Sequence, residues 1–145
     1  MPILVATGMK VSTVKHVHHT VEVDVPGKDS WRHAKAGAHE VMIALADGWV
    51  LHHPRRDSGR AALLDMVANM SPCDLILIEG FRDMAIPRVR LFELEANPRT
   101  VVVLDPKVVA VVGTKVPEGY AVPAFARDDA LGVATFVLQY TKQHA

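Results

Sequence analysis

Polar, chemistry-bearing residues follow three apolar or β-branched segments of the sequence. The segment KVSTVK (residues 10–15) ends in Lys15-His16-Val17-His18-His19. The segment CDLILIE (73–79) ends in Glu79-Gly80, and the segment KVVAVVG (107–113) ends in Gly113-Thr114-Lys115. In open α/β sheets the functional crevice lies at the carboxyl ends of the parallel strands. If these segments are parallel strands, their polar ends are expected at the same edge of one sheet.

The histidine-rich segment has two interpretations. In an extended chain His16 and His18 share a face and could bind one zinc ion, with Asp24 or His33 as the nearest further ligand. Alternatively, these histidines hydrogen-bond water or phosphate at a polar strand end. We favour the second interpretation, because no strict metal-ligand spacing is present.

Two other segments are candidates for binding a phosphorylated ligand. Glu79 follows an apolar strand, as do carboxylates that hold Mg²⁺, although a solvated strand end explains it equally well. Gly27-Lys28-Asp29-Ser30 precedes a short helix, whose free N–H groups could bind an anion. It is not a Walker A loop, because Glu22 stands where G-x-x-x-x-G-K-[ST] requires glycine and Asp29 where it requires Ser or Thr. No other glycine of the sequence completes that motif.

The aromatic residues nearest these segments are interpreted as core packing and not as stacking platforms for a ligand. They are Trp31, Trp49 and Phe81.

Composition excludes several classes of protein. The 145 residues contain 16 Lys and Arg against 16 Asp and Glu, so nucleic acid or an anionic membrane is not the expected partner. A single cysteine, Cys73, excludes an intrachain disulfide framework. No apolar run reaches the roughly 18 residues of a membrane span, and the first residues are a poor secretory signal. We expect one domain over residues 1–145, located in the cytoplasm.

The order of the expected elements predicts an α/β fold with a mostly parallel sheet, flanking helices and a β-hairpin. Residues 1–7 are either a buried strand or the last turns of a helix that ends at Gly8. The expected strands are 10–15, 41–46, 49–52, 73–79, 88–93 and 107–113; of these, 73–79 and 107–113 are expected to be buried on both faces. Asp47-Gly48 is the expected hairpin turn. Helices are expected from Asp29 or Ser30 as cap to Gly37, from Ser58 as cap over 59–70, and over 128–142 with acidic residues in the first turn.

Residues 14–41, VKHVHHTVEVDVPGKDSWRHAKAGAHEV, resemble the molybdopterin-guanine dinucleotide biosynthesis adaptor protein B (MobB) family. The patterns K-H-x-H-H, D-x-P-G-K-D-S and A-G-A support the resemblance, as does DLILIEGFRD at residues 74–83. The resemblance covers residues 8 to about 136. It implies a P-loop NTPase-like fold, a homodimer, and binding of GTP with Mg²⁺. It also implies an adaptor role when a guanylyltransferase attaches GMP to molybdenum-bound molybdopterin.

The same resemblance implies a set of ligand-binding residues and no catalytic residue, so the chain would be a non-catalytic adaptor or at most a weak GTPase. The implied residues lie at the end of the second family strand, in the signature loop and helix start (residues 24–30) and at a Walker B-like strand end: Lys15, His16, His18, Asp24, Gly27, Lys28, Asp29, Ser30, Glu79 and Gly80. His19 also lies at the end of that second strand. Glu79 is the implied ligand of Mg²⁺.

The sequence departs from the family pattern at two places. Only about nine residues precede the second strand, so the first strand, the Walker A loop and most of the first helix are expected to be missing. A misplaced start codon, a cloned fragment or a real loss would each explain this. In addition, Gly113-Thr114-Lys115 offers no carboxylate that could recognise guanine. GTP is therefore expected to bind weakly or not at all.

Two alternative functions remain open from the sequence. The chain could be a degenerate paralogue that no longer binds nucleotide and acts as an interaction or dimerisation module. It could also be a small metal-dependent hydrolase that uses His16, His18 and Asp24, although no nucleophile or general base has a recognisable spacing.

Overall fold

The computed structural model describes residues 1–17, 21, 24–54, 60–92, 105–114 and 121–144. The elements along these residues are α1 Pro2–Ala6, β1 Val11–Lys15, α2 Asp29–Lys35, β2 Val41–Ala44, β3 Trp49–His52, α3 Arg60–Ala68, β4 Leu75–Glu79, β5 Arg88–Leu91, β6 Val108–Val112, β7 Ala124–Phe125 and α4 Ala130–His144.

The chain forms two compact units. Unit 1 consists of Met1–Val14, Ser71–Ile78 and Arg82–Ala145, and unit 2 consists of Lys15–Met70 and Glu79–Phe81.

A parallel sheet of β5, β6 and β7 forms the core of unit 1. The central strand β6 pairs with β5, where Val89 is opposite Ala110, and with β7, where Val111 is opposite Ala124. Val111 is fully buried, as expected for a central strand with both faces covered. The prediction of a buried strand over 107–113 is therefore confirmed. The two-residue strand β7 is too short to give a periodic pattern, and the sequence did not predict it.

Strands β1 and β4 form a second pair, and the backbone hydrogen bonds between them show that they are parallel. The Asp74 N–H donates to the Lys10 carbonyl at 2.9 Å near the start of both strands, and the His16 N–H donates to the Glu79 carbonyl at 2.8 Å at their ends. The residues of β4 before Glu79 are half-buried. The expectation that this strand is buried on both faces is wrong for the described structure.

Residues 2–6 form a helix, so the strand alternative for this segment is wrong. Pro2 lies in the first turn, where the missing N–H breaks no helical hydrogen bond. The Thr7 hydroxyl donates to the Leu4 carbonyl at 2.7 Å, and Gly8 ends the helix with a φ of +85°. α1 packs against α4 within unit 1.

The start of α4 also differs from the expectation. Asp128 and Asp129 precede the helix and do not lie in its first turn, because the helix begins at Ala130. The Asp129 carboxylate still caps the N-terminus of the helix, since its Oδ1 accepts a hydrogen bond from the Gly132 N–H at 2.8 Å. α3 ends at Ala68, two residues before the expected end, and its expected start at residue 59 and cap Ser58 lie outside the described residues.

The predicted hairpin is present in unit 2. β2 and β3 pair antiparallel, with Val41 opposite His52 and Ala44 opposite Trp49. The Leu45 N–H donates to the Gly48 carbonyl at 2.8 Å, which places Ala46-Asp47 at the centre of the turn in place of the expected Asp47-Gly48. No helix in the described part of the chain is long and apolar enough to cross a membrane.

Candidate functional site at the ends of strands β1 and β4

The carboxyl ends of β1 and β4 meet in unit 2, as their sequence predicted. The hydrogen bond from His16 to Glu79 joins the two backbones, and the Lys15 Nζ lies 3.2 Å from the Glu79 Oε1. Both side chains of this ion pair are largely exposed, at 65% and 71%. An exposed pair contributes at most about 1 kcal/mol to stability. Both groups are therefore accessible to a ligand, the ammonium to an anion and the carboxylate to a cation.

A sharp bend directly after Glu79 brings an aromatic ring back onto β1. Gly80 has a φ of +94° and Phe81 a φ of +50°. The Phe81 ring is buried and stacks on the His16 imidazole, with 4.5 Å between the ring centroids and 23° between the planes. Phe81 is core packing, as expected, but its contact with His16 was not predicted. The Glu-Gly-Phe sequence after an apolar strand is the signal that could have indicated such a bend.

Gly80 allows the two strand ends to approach closely. A Cβ at this position would lie 2.7 Å from the Cβ of His16. Such a distance excludes any side chain unless the backbone moves. The glycine therefore has a steric role in the site besides its positive φ.

The signature loop forms a tight turn before α2. The Lys28 N–H donates to the Val25 carbonyl at 3.2 Å, and Gly27 has a φ of +89°. Proline followed by a left-handed glycine is typical of a type II turn. This turn leaves Lys28 extended as the N-cap, without a side-chain cap hydrogen bond, and Asp29 is the first helical residue. The expectation that Asp29 or Ser30 caps the helix is therefore wrong.

A cavity of about 220 Å³ lies between α2 and one face of the hairpin. It is lined by residues of the signature loop, α2, β2 and β3, together with one residue before the loop and one after β3: Val21, Asp24, Ser30, Trp31, Ala34, Lys35, Val41, Ile43, Val50, His52 and Pro54. The Asp24 Oδ1 accepts a hydrogen bond from the Val25 N–H at 2.7 Å. Asp24 and Ser30 thus line the same cavity, whereas Lys15 and Glu79 do not line it.

Other expected site residues lie outside the described residues or in unit 1. His18 and His19 lie outside the described residues, and so does Lys115. Gly113 and Thr114 belong to unit 1. Among the described residues, no group of three or more His, Cys, Asp or Glu could hold a metal ion. The described structure thus offers no support for a zinc site.

Comparison with known proteins identifies the family. The family model for molybdopterin guanine dinucleotide synthesis protein B (MobB) matches residues 1–114. The chain belongs to the MobB family. This confirms the resemblance inferred from the two sequence segments, both of which lie within the matched range.

Two curated MobB relatives are molybdopterin-guanine dinucleotide biosynthesis adapter proteins. The protein from Escherichia coli K12 is 35% identical over 146 residues, which cover 99% of this chain and 83% of that protein. The protein from Haemophilus influenzae is 36% identical over 98 residues, which cover 66% of this chain and 53% of that protein.

Solved MobB structures share the fold. A MobB crystal structure superimposes with a TM-score of 0.68 at 26% identity, over 97% of this chain and 86% of that chain. The MobB homologue from Bacillus stearothermophilus gives a TM-score of 0.64 at 19% identity, over 98% of this chain and 84% of that chain. The expected P-loop NTPase-like, mixed α/β fold with parallel strands and flanking helices is therefore confirmed.

Proposed function

We propose that this MobB-family chain is a non-catalytic adapter in the synthesis of molybdopterin guanine dinucleotide. The observation that carries the proposal is the 35% identity to the Escherichia coli adapter protein over 99% of this chain. We propose further that it acts in the cytoplasm as a homodimer, together with a molybdenum cofactor guanylyltransferase and molybdopterin-related molecules.

The proposed nucleotide ligand is GTP with Mg²⁺, bound at the ends of β1 and β4 and by the signature loop. Mg²⁺ prefers oxygen ligands and is often held by one or two carboxylates together with substrate phosphates, which suits the exposed Glu79 carboxylate. Lys15, 3.2 Å from that carboxylate, would attract phosphate oxygens. The other proposed contacts, argued from the family resemblance, are His16, His18, Asp24, Gly27, Lys28, Asp29, Ser30 and Gly80.

We propose that these 145 residues bind GTP only weakly. The 145-residue sequence contains no G-x-x-x-x-G-K-[ST] segment, and such a loop supplies the backbone N–H groups and the lysine that wrap phosphates. Calorimetric titration with GTP, with and without Mg²⁺, tests this. A Kd well above 1 μM is expected, and a Kd at or below about 1 μM, which corresponds to roughly 8 kcal/mol, would overturn the proposal.

The role of Glu79 is tested in the same titration. Glu79→Gln keeps the shape of the side chain and removes its charge, so it should abolish the dependence of GTP binding on Mg²⁺. Asp47→Asn, in the hairpin turn, is the matched control and should leave that dependence unchanged. Equal Mg²⁺ dependence in the wild type and Glu79→Gln would assign Glu79 a structural role.

The adapter role is tested in an Escherichia coli strain that lacks its own adapter gene. Expression of this chain should raise the cellular content of molybdopterin guanine dinucleotide, measured by chromatography. An unchanged content would contradict the adapter proposal.

A second candidate function is an interaction module that does not bind nucleotide. The observation that favours it is the lack of a phosphate-wrapping loop among these residues. A chain that raises the dinucleotide content while no GTP binding is measurable would support this candidate.

A further inference from the structure

The cavity between α2 and the hairpin is lined mainly by apolar side chains, together with a few polar ones. Val41 and Ile43 lie on one face of β2, and the register places His52 and Val50 opposite them on β3. Trp31 and Ala34 close the cavity from the side of α2. Small-molecule sites typically combine such apolar walls with a few polar groups that fix the orientation of the ligand.

The polar groups of the cavity favour a ligand edge that donates hydrogen bonds. The Asp24 carboxylate is oriented by the Val25 N–H, which donates to Oδ1 at 2.7 Å. A carboxylate has acceptor sites on two oxygens, so this single bond leaves it capacity for further donors. The Ser30 hydroxyl and the His52 imidazole line the same cavity.

The size of the cavity suits a single flat ring system. Its volume of about 220 Å³ lies below the roughly 300 Å³ at which pockets for drug-sized ligands begin. This volume suits a nucleobase, and the remainder of a nucleotide would extend out of the cavity. The Trp31 ring contributes an aromatic wall, and the Lys35 ammonium lies 5.4 Å from the centroid of that ring.

We propose that this cavity binds an amino-pyrimidinone ring, whose adjacent ring N–H and exocyclic amino group both donate to the Asp24 carboxylate. Guanine and pterins share this ring edge, which is the part of the ligand that the cavity recognises. This inference rests on the proposed adapter function. Asp24 is the specificity-determining residue, and Ser30 and His52 are additional polar contacts. The site differs from the strand ends, where Lys15 and Glu79 lie.

The test uses the full chain with Trp49→Phe, which leaves Trp31 as the single indole. Guanosine and unconjugated pterin are titrated separately, with adenosine as the ring that lacks the amino-pyrimidinone edge. Trp31 fluorescence and calorimetry report binding. Guanosine or pterin should bind at least tenfold more tightly than adenosine. The tighter of the two identifies the source of the ring, a nucleotide base or a pterin.

The decisive variant is Asp24→Asn, which should weaken binding of the preferred ring at least tenfold. The matched control is Asp47→Asn, an exposed carboxylate of the hairpin turn that does not line the cavity, and it should change binding by less than twofold. Circular dichroism of both variants verifies the fold, and Asp24→Glu provides a folded carboxylate variant if Asp24→Asn does not fold. In that case Asp24→Glu should retain the preference over adenosine.

Three results would overturn the inference: equal affinity for adenosine, no effect of Asp24→Asn, or no binding of either ring at millimolar concentration. This failure is distinguishable from failure of the adapter proposal. If neither ring binds while the chain still raises the dinucleotide content of the adapter-deficient strain, only the cavity inference is wrong. If a ring binds through Asp24 while that content stays unchanged, only the adapter proposal is wrong.

Discussion

Gly80 and Phe81 form a bend in which two successive residues have positive φ angles, +94° and +50°. For a non-glycine residue the left-handed conformation costs roughly 1–2 kcal/mol. Burial of the Phe81 side chain contributes about 1.5–3 kcal/mol, which offsets that cost. The bend places the Phe81 ring on His16, so that two residues distant in sequence are held together at the strand ends.

At this residue scale we predict that Gly80→Ala destabilises the chain strongly. The new Cβ would lie 2.7 Å from the Cβ of His16, in addition to the unfavourable positive φ. The expected loss in the free energy of unfolding is above about 2 kcal/mol, because overpacking typically adds 1–3 kcal/mol to the backbone cost. Urea denaturation measures the difference.

Gly27→Ala is the matched control for that substitution. Gly27 has a similar φ of +89°, but nothing lies within 4 Å of a Cβ built there. Its expected cost is therefore the backbone cost alone, about 1–2 kcal/mol. Equal destabilisation by the two variants would show that the close approach of Gly80 to His16 is not present in solution.

At the scale of elements, the seven-residue helix α2 begins without a side-chain cap. Lys28 occupies the N-cap position with φ −72° and ψ 161°, the extended conformation that a capping residue adopts. A lysine side chain has donors and no acceptor, so it cannot satisfy the first N–H groups of the helix. Lys28 also places a positive charge at the N-terminus of the helix, which is the positive end of the helix dipole, and this is unfavourable.

We therefore predict that Lys28→Ser stabilises the chain. The serine hydroxyl would accept a hydrogen bond from an N–H of the first turn, and the expected gain in the free energy of unfolding is about 0.5–2 kcal/mol. Thermal and urea denaturation measure it. Lys28→Ala removes the same charge without adding an acceptor, and it should recover at most a small part of the gain. An equal gain in both variants would attribute the effect to charge and not to capping.

At the scale of the whole molecule, the hairpin exposes large apolar side chains. Met42 is 60% exposed and Trp49 is 61% exposed. The register places Met42 opposite Leu51 and Ala44 opposite Trp49, so these residues lie on one face of the hairpin. The exposure of Trp49 also contradicts its interpretation as core packing. Exposed apolar patches frequently mark surfaces for protein association.

We predict that this face contributes to the proposed homodimer. Sedimentation at micromolar concentration should show a dimer, and Trp49→Glu should shift the chain to the monomer, because a charge in an apolar interface is strongly unfavourable. Leu131→Glu is the control, since Leu131 is 65% exposed on α4 in unit 1. A monomeric wild-type chain, or an equal shift in the control, would contradict the prediction.

The sequence by itself determined the elements whose patterns are local. The β-branched segment before His16, the apolar run around Val111 and the hairpin between Val41 and His52 each have a period or composition that favours one type of element. The meeting of Lys15 and Glu79 was predictable because the ends of parallel strands share an edge. The family was recognisable because its signature residues lie close together in the sequence.

Only the tertiary structure decided features that depend on contacts between distant residues. Residues 2–6 are too short and uniformly apolar for periodicity to separate strand from helix, and packing of α1 against α4 favours the helix. The stacking of Phe81 on His16 depends on a backbone conformation that a phenylalanine adopts only when burial of its ring offsets the strain. The cavity beside Asp24 likewise exists because α2 and the hairpin leave a space between them, which no local pattern encodes.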